Sequence, residues 1–350
     1  MVLLIAVGII ALLKFIQTQP ILAQTTSNQS ITIGLSTATN GVAGNIYLGH
    51  DSYPTSVAYD PINGYMYVTE YGHKAVAAIS PKNNAITTEI AVSSNPVAIA
   101  VDKSNGYIYI ANPLNNTVSI IDAANGTVIS TIMVGRGPDG ITRDSINNYT
   151  YVSSGASDVV SVVSGNAVIH NITVGVNPGG ILFDQSNKEI YVLDYGTVDP
   201  TGCINNINNG VNCSVSVISP ASNSEVSAIN TGRSPSSIVY DNATGSLYVA
   251  NEGSNTISII KNNSVSLTIS TYGAPPSAMA YDPANNNVYV VEAGTNRVLV
   301  LSTKTNTIIS NMSVGQYMFG LDEAAAYDPS NGYIYIANYG SGTVTVLTQR

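Results

Sequence analysis

Tryptophan is absent from this 350-residue chain, and phenylalanine and histidine occur three times each. Charge is scarce as well: Asp, Glu, Lys and Arg make up 9% of the residues, where a soluble globular domain carries about 25%. The 12 Lys and Arg are outnumbered by 21 Asp and Glu, for a net charge of −9. That excludes a nucleic-acid footprint, which needs clustered cations to neutralise phosphates. Two cysteines, Cys203 and Cys213, are too few for a disulfide scaffold or a four-ligand zinc site. Hydrophobic residues reach 44%, too many for charged disorder and enough for a large core. Asn, Ser, Thr and 22 Tyr stand where charge would be.

The first segment reads as an address. Val2 to Leu13 is apolar, Lys14 interrupts it, and Phe15 to Ala23 resumes. The run is short for a membrane span and suits a secretory signal with cleavage after Ala23. An uncleaved anchor is the alternative, and the only expected membrane contact. Residues 24–44 read as a polar linker, in which Ile31 to Leu35 resembles an extra strand.

From there on the chain repeats. A tetrad begins at Tyr67, Tyr109, Tyr151, Tyr191, Tyr248, Tyr289 and Tyr335, spaced by 42, 42, 40, 57, 41 and 46 residues. Asp60, Asp102, Asp144, Asp184, Asp241, Asp282 and Asp328 keep the same spacings. Six of these Asp follow a Pro by six residues: Pro54, Pro96, Pro138, Pro178, Pro235 and Pro276. Each unit alternates as four short strands, and Asn63-Gly64, Asn105-Gly106, Asn125-Gly126 and Asn331-Gly332 predict type I′ hairpins. Units of this size must stack on neighbours to bury both faces, and a radial stack is a β-propeller.

Tyr67-Val68-Thr69-Glu70, Tyr109-Ile110-Ala111-Asn112, Tyr248-Val249-Ala250-Asn251 and Tyr335-Ile336-Ala337-Asn338 resemble the YVTN family of β-propeller repeats. The likeness covers about residues 54–350 and implies seven blades of four antiparallel strands over 45–350. The last unit stops after its third strand, Thr343 to Leu347, so Asn45 to Gly49 is expected to supply the missing fourth. YVTN propellers resemble archaeal surface-layer and surface-antigen proteins. Relatives also include lactonase-like hydrolases, lyases and subunits of quinone- or haem-dependent enzymes. No residue pattern here carries those activities over.

Up-and-down connectivity places the second-to-third-strand and fourth-to-first-strand loops on one face. Both length anomalies, at 194–214 and 316–327, fall there, and elaborated loops on a rigid scaffold are a usual place for function. Candidate contacts are Tyr71, His73, Leu114, Tyr195, Tyr317, Phe319 and Tyr339, since Tyr gives contact area at low entropic cost. In an exported protein, Cys203 and Cys213 favour a disulfide closing the long loop, which stabilises by ~2–3 kcal/mol.

The fourth tetrad position forms a ring: Glu70, Asn112, Ser154, Asp194, Asn251, Glu292 and Asn338. It would suit a hard cation such as calcium, the one cofactor considered. The stronger reading is side chains that bond the following loop backbone. The repeated Asp read as turn starters. His50, His73 and His170 match no metal motif and are not expected to be catalytic. Sequons stand at Asn28, Asn115, Asn125, Asn148, Asn171, Asn212, Asn242, Asn262 and Asn311, outside the two inner strands of every unit, as glycans require. A surface with few carboxylates changes little on acidification, which suggests an acidic exterior environment.

The sequence therefore predicts an exported or surface-attached seven-bladed propeller. It would bind a surface protein or a glycan through the elaborated face. A metal-dependent lactonase- or lyase-like hydrolase using the central channel is the alternative, and a redox-complex subunit a weaker third.

Overall fold

The computed structural model describes residues 41–196, 213–314 and 324–348. They form seven four-stranded antiparallel sheets arranged as the blades of a propeller. β1 (Val42–Tyr47) precedes blade 1, which holds β2 (Pro54–Tyr59), β3 (Met66–Glu70), β4 (Ala75–Ser80) and β5 (Ala85–Ala91). Blade 2 holds β6 (Ala98–Val101), β7 (Tyr107–Asn112), β8 (Thr117–Asp122) and β9 (Thr127–Met133). Blade 3 holds β10 (Pro138–Arg143), β11 (Thr150–Ser154), β12 (Val159–Ser164) and β13 (Ala167–Thr173). Blade 4 holds β14 (Pro178–Asp184), β15 (Glu189–Asp194), β16 (Ser214–Ser219) and β17 (Ser224–Asn230). Blade 5 holds β18 (Pro235–Asp241), β19 (Ser246–Asn251), β20 (Thr256–Lys261) and β21 (Ser264–Ser270). Blade 6 holds β22 (Pro276–Asp282), β23 (Asn287–Glu292), β24 (Arg297–Ser302) and β25 (Thr307–Ser313). Blade 7 holds β26 (Ala324–Asp328), β27 (Tyr333–Asn338) and β28 (Thr343–Leu347). Its fourth strand is β1, paired antiparallel to β28 from Val42↔Leu347 to Tyr47↔Thr343.

The closing strand thus starts three residues before the expected Asn45 and ends at Tyr47. Its register is set by Ala43 and Ile46, which bury into the blade 7–blade 1 core. Each first strand touches those of the blades on either side, in the unbroken cycle β2, β6, β10, β14, β18, β22, β26. The second and third strands are buried on both faces, whereas the fourth strands β5, β9, β13, β17, β21 and β25 are mostly exposed at the rim, with at most one buried residue each. Hence the inner strands read as continuous Val, Ile, Ala and Tyr, and the outer ones as Thr, Ser and Asn.

The turns between first and second strands correct the hairpin expectation. A type I′ turn needs positive φ at both central residues, but Gly64 and Gly106 are left-handed (φ 78° and 74°) without Asn63 and Asn105. The turn is a longer one organised by the repeated Asp. In all seven blades its Oδ1 accepts the N–H two residues on, at 2.7–3.0 Å. In six, its carbonyl accepts the N–H four residues on. The structural role expected for these Asp is therefore observed. The two-residue turn with both φ positive is instead Asn262-Asn263, at 50° and 53°.

The turn Asn has a second function. Nδ2 of Asn63, Asn147, Asn187, Asn285 and Asn331 donates to the hydroxyl of the tetrad Tyr four residues on, at 2.7–3.1 Å. Tyr191, Tyr248 and Tyr335 then donate to Asn263, Asn306 and Asn84 of the next blade, at 2.7–2.8 Å. The tetrad Tyr thus fills the core with its ring and ties neighbouring blades through its hydroxyl. Tyr335→Phe should cost about 1–3 kcal/mol, because Asn331 and Asn84 each lose a partner. Thermal melting should fall by several degrees, while Tyr272→Phe, at a residue 78% exposed, should leave it unchanged.

Candidate binding site

The elaborated face gathers its polar and aromatic side chains at the seam where the wheel closes. Residues 48–53 cross there from blade 7 to blade 1. Leu48 N–H donates to the Gly342 carbonyl at 2.9 Å, and the Tyr71 and Gly72 N–H groups donate to the Tyr53 and Ser52 carbonyls at 3.1 and 3.0 Å. Asp51 and Tyr53 sit in the left-handed region, at φ 61° and 47°. The residue before the blade-starting Pro is left-handed at Gly137, Asn177 and Ser234 too (φ 64°, 54° and 48°), so the repeat sets this backbone and the seam places a bulky Tyr on it. The Tyr53 ring stacks on Tyr339, with centroids 5.0 Å apart and planes at 27°. Its hydroxyl donates to Asp51 Oδ1 at 3.0 Å, and His50 Nδ1 lies 2.7 Å from Asp51 Oδ2. These two bonds hold the Asp51 carboxyl below the usual range.

Beneath this loop the buried Glu70 carboxyl pairs with the partly exposed His73 imidazole. His73 Nδ1 is 2.8 Å from Glu70 Oε2, and His73 Nε2 is 2.9 Å from the His50 carbonyl. The carbonyl can only accept, so Nε2 carries a proton and Nδ1 shares one with Glu70. Burial pushes Glu70 up to about 7, against the opposing pull of His73. Burial also disfavours charged His73, but the His50 carbonyl and Glu70 outweigh it and raise its pKa.

Three of the candidate contacts, Tyr71, His73 and Tyr339, therefore converge, and the structure adds His50, Asp51 and Tyr53. Tyr53 had one visible mark, its place before the first blade-starting Pro. Nothing in the spacing brings His50 to His73. Leu114 stands apart on blade 2, 64% exposed. Tyr195 lies on blade 4 against Gly179, where a Cβ would come within 2.2 Å of the ring. Tyr317 and Phe319 lie outside the described residues.

The fourth-position residues are held mainly by partners in their own blades. All seven residues are buried, and all but Ser154 bond side chains close by in their own blade. Nδ2 of Asn112, Asn251 and Asn338 donates to a pair of hydroxyls on the next strand: Thr117 and Ser119, Thr256 and Ser258, Thr343 and Thr345. Asp194 Oδ2 accepts from Ser214 and Ser216 at 2.9 and 2.8 Å. Glu292 pairs with Arg297, and Glu70 with His73. The partners are mostly side chains of the third strand, rather than the loop backbone expected from sequence. No three His, Cys, Asp or Glu converge on a possible metal position among the described residues. Ser154 Oγ and one oxygen of each of the other six are buried without a partner. Asp194 is roofed by Gly175, whose Cβ would meet the carboxyl carbon at 2.4 Å. Burial pushes Asp194 up to about 7, against the lowering effect of its two serines.

Cys213 is buried at the start of β16, where Sγ accepts the Ser234 N–H at 3.3 Å; Cys203 lies outside the described residues. Asn115, Asn125, Asn148, Asn171, Asn242, Asn262 and Asn311 are all exposed; Asn28 and Asn212 lie outside the described residues.

No protein-family model and no curated protein matches the sequence. Solved structures match the fold. A chain of Kuenenia stuttgartiensis hydrazine synthase aligns at TM-score 0.71 and 19% identity, over 86% of this chain and 97% of that one. Virginiamycin B lyase of Staphylococcus aureus aligns at 0.71 and 15%, over 88% and 99%. A streptogramin B lyase aligns at 0.71 and 17%, over 88% and 97%. At these identities the likeness shows the seven-bladed fold alone.

The buried carboxyls set a pH dependence. Glu70 and Asp194 titrate at about 7 in the folded protein and near 4 when unfolded. Their contribution is complete below about pH 4 and is lost as pH rises through 7. Asp102 and Asp241 are shifted down, so their contribution is lost only on further acidification. The melting temperature should rise between pH 8 and pH 5. Asp194→Asn, which installs the residue that blades 2, 5 and 7 already use, should stabilise at pH 8 by roughly 1–3 kcal/mol and change little at pH 5. Equal melting shifts at both pH values would contradict the assignment.

Proposed function

We propose that this chain is an exported recognition module of the cell surface or surface layer, related to YVTN-type surface propellers, that binds a protein or glycan partner through the seam of its elaborated face. The reading is carried by the convergence of Tyr53, Tyr71, His73 and Tyr339 from three short segments, with Tyr53 stacked on Tyr339 and its carbonyl bonded to the Tyr71 N–H. Rigid aromatic side chains beside adaptable polar groups suit recognition. The apolar rim is consistent with lateral packing: Ile129, Met133, Ile169, Val226, Leu267 and Ile309 are exposed on fourth strands. Sequons on exposed loops and rim strands fit a glycoprotein. A disulfide between Cys203 and Cys213 would stiffen the long loop of blade 4. The low charge density suits an acidic medium.

The second reading is a metal-dependent lyase- or lactonase-like hydrolase. The fold shared with streptogramin B lyases and the proton-sharing Glu70–His73 pair favour it. Elemental analysis of the purified protein separates the two, since stoichiometric calcium or another metal belongs to the enzyme.

Cross-linking on intact source cells should capture a surface partner with the native chain. Tyr339→Ala combined with Tyr53→Ala should reduce capture at least tenfold without unfolding the wheel. Capture that survives the double variant would move the site elsewhere. The cysteines should resist alkylation until reduced, and a thiol that reacts in the native protein would remove the disulfide.

A further inference from the structure

The central channel opens on the opposite face, where the first-to-second-strand turns lie, into a cavity of about 880 Å³. This is within the ~300–1,000 Å³ range of small-molecule sites. Its wall is built by the residues on either side of the repeated Asp. On blades 1, 6 and 7 these are Tyr59 and Pro61, Tyr281 and Pro283, and Tyr327 and Pro329. That half of the wall is aromatic, apolar and conformationally fixed. Blades 4 and 5 keep the ring, as Phe183 and Tyr240, but replace the proline with Gln185 and Asn242. Blade 2 contributes Lys103, the one charged side chain lining the cavity. On blade 3 the position of the ring is taken by Arg143, which turns back to Asp102 with Nη2 at 2.6 Å and Nε at 3.0 Å and lies over the Tyr109 ring.

A purely structural repeat would keep one residue type around the wheel. The departures here are grouped, so one cup has an aromatic wall facing a rim of amide and ammonium groups. Two of the rings are held through their hydroxyls. The Tyr240 hydroxyl donates to Ser186 at 2.7 Å, and Tyr327 bonds Asp282. Among the described residues, ring–ring contacts occur at Tyr53–Tyr339 and Tyr65–Tyr67 and not in the cup.

We propose that this cup binds an acidic sugar: a pyranose unit that carries a carboxylate. A pyranose has an apolar C–H face for Tyr and Phe rings and a hydroxyl edge for Gln185 and Asn242. Its carboxylate meets Lys103. A phosphate-rich ligand needs several cations, and the cup has one. The site is on the other face from the seam and is independent of the reading proposed for it.

The test is isothermal titration of the full chain, produced without glycosylation because Asn242 is a sequon at the rim. The probes are α-1,4-linked trigalacturonic acid and its methyl ester, which keeps the rings and removes the charge. The acid should bind with a dissociation constant below about 1 mM, and the ester about tenfold more weakly. Lys103→Gln should abolish that difference, and Phe183→Leu should weaken both probes, with melting temperatures confirming that the variants fold. Tyr339→Ala should leave both affinities unchanged. No saturation by either probe, equal affinity for acid and ester, or an unaltered Lys103→Gln variant would overturn the proposal.

Discussion

Each blade has two apolar faces and can cover neither alone. Val68 and Val344 pack into one core between blades 1 and 7, while Val76 and Ile110 pack into the next, between blades 1 and 2. Every core in the molecule is shared in this way, so stability requires that the series has no first or last member. The wheel meets this constraint by taking its final strand from the N-terminal side, with β1 against β28. The join is a mechanical necessity, and it is also where Tyr53 stacks on Tyr339.

That coincidence explains the candidate site. The segment from Leu48 to Tyr53 must leave the rim of blade 7 and reach the axis at blade 1 within six residues. It does so with Asp51 and Tyr53 in left-handed conformations, braced by the second-to-third-strand loops of two blades that are far apart in sequence. The geometry that closes the wheel thereby exposes two stacked tyrosines and sets His73 between a buried carboxylate and a backbone carbonyl. Elsewhere on the same face the corresponding positions are quiet: Asn112, Asn251 and Asn338 are bonded to hydroxyls of the adjacent strand.

The opposite face follows from a different economy of residues. One Asp per blade organises its own turn, and in five blades an Asn bonds the buried Tyr. The residues flanking the Asp are under no such obligation. They point toward the channel mouth, which is why variation there is concentrated and grouped, with Pro on three adjacent blades and polar residues on the others.

The sequence alone determined the repeat, the strand order within each blade and the missing fourth strand of the last one. These are consequences of local chemistry: strand alternation, Asp at a turn, and inner strands buried on both faces. It also marked Tyr71, His73 and Tyr339 as face residues, because loop parity follows from connectivity. What tertiary structure decided is which of those residues meet. His50 and His73 are brought together only when strand β1 crosses to blade 7, and Tyr53 reaches Tyr339 across the whole length of the chain. The partners of the fourth-position ring were likewise settled by packing: Asn112, Asp194, Asn251 and Asn338 meet hydroxyls of the neighbouring strand, Glu292 meets Arg297 and Glu70 meets His73. The cup was written in the sequence as the residues flanking seven aspartates, but its two-sided wall exists only once the ring closes and sets the blades in order around an axis.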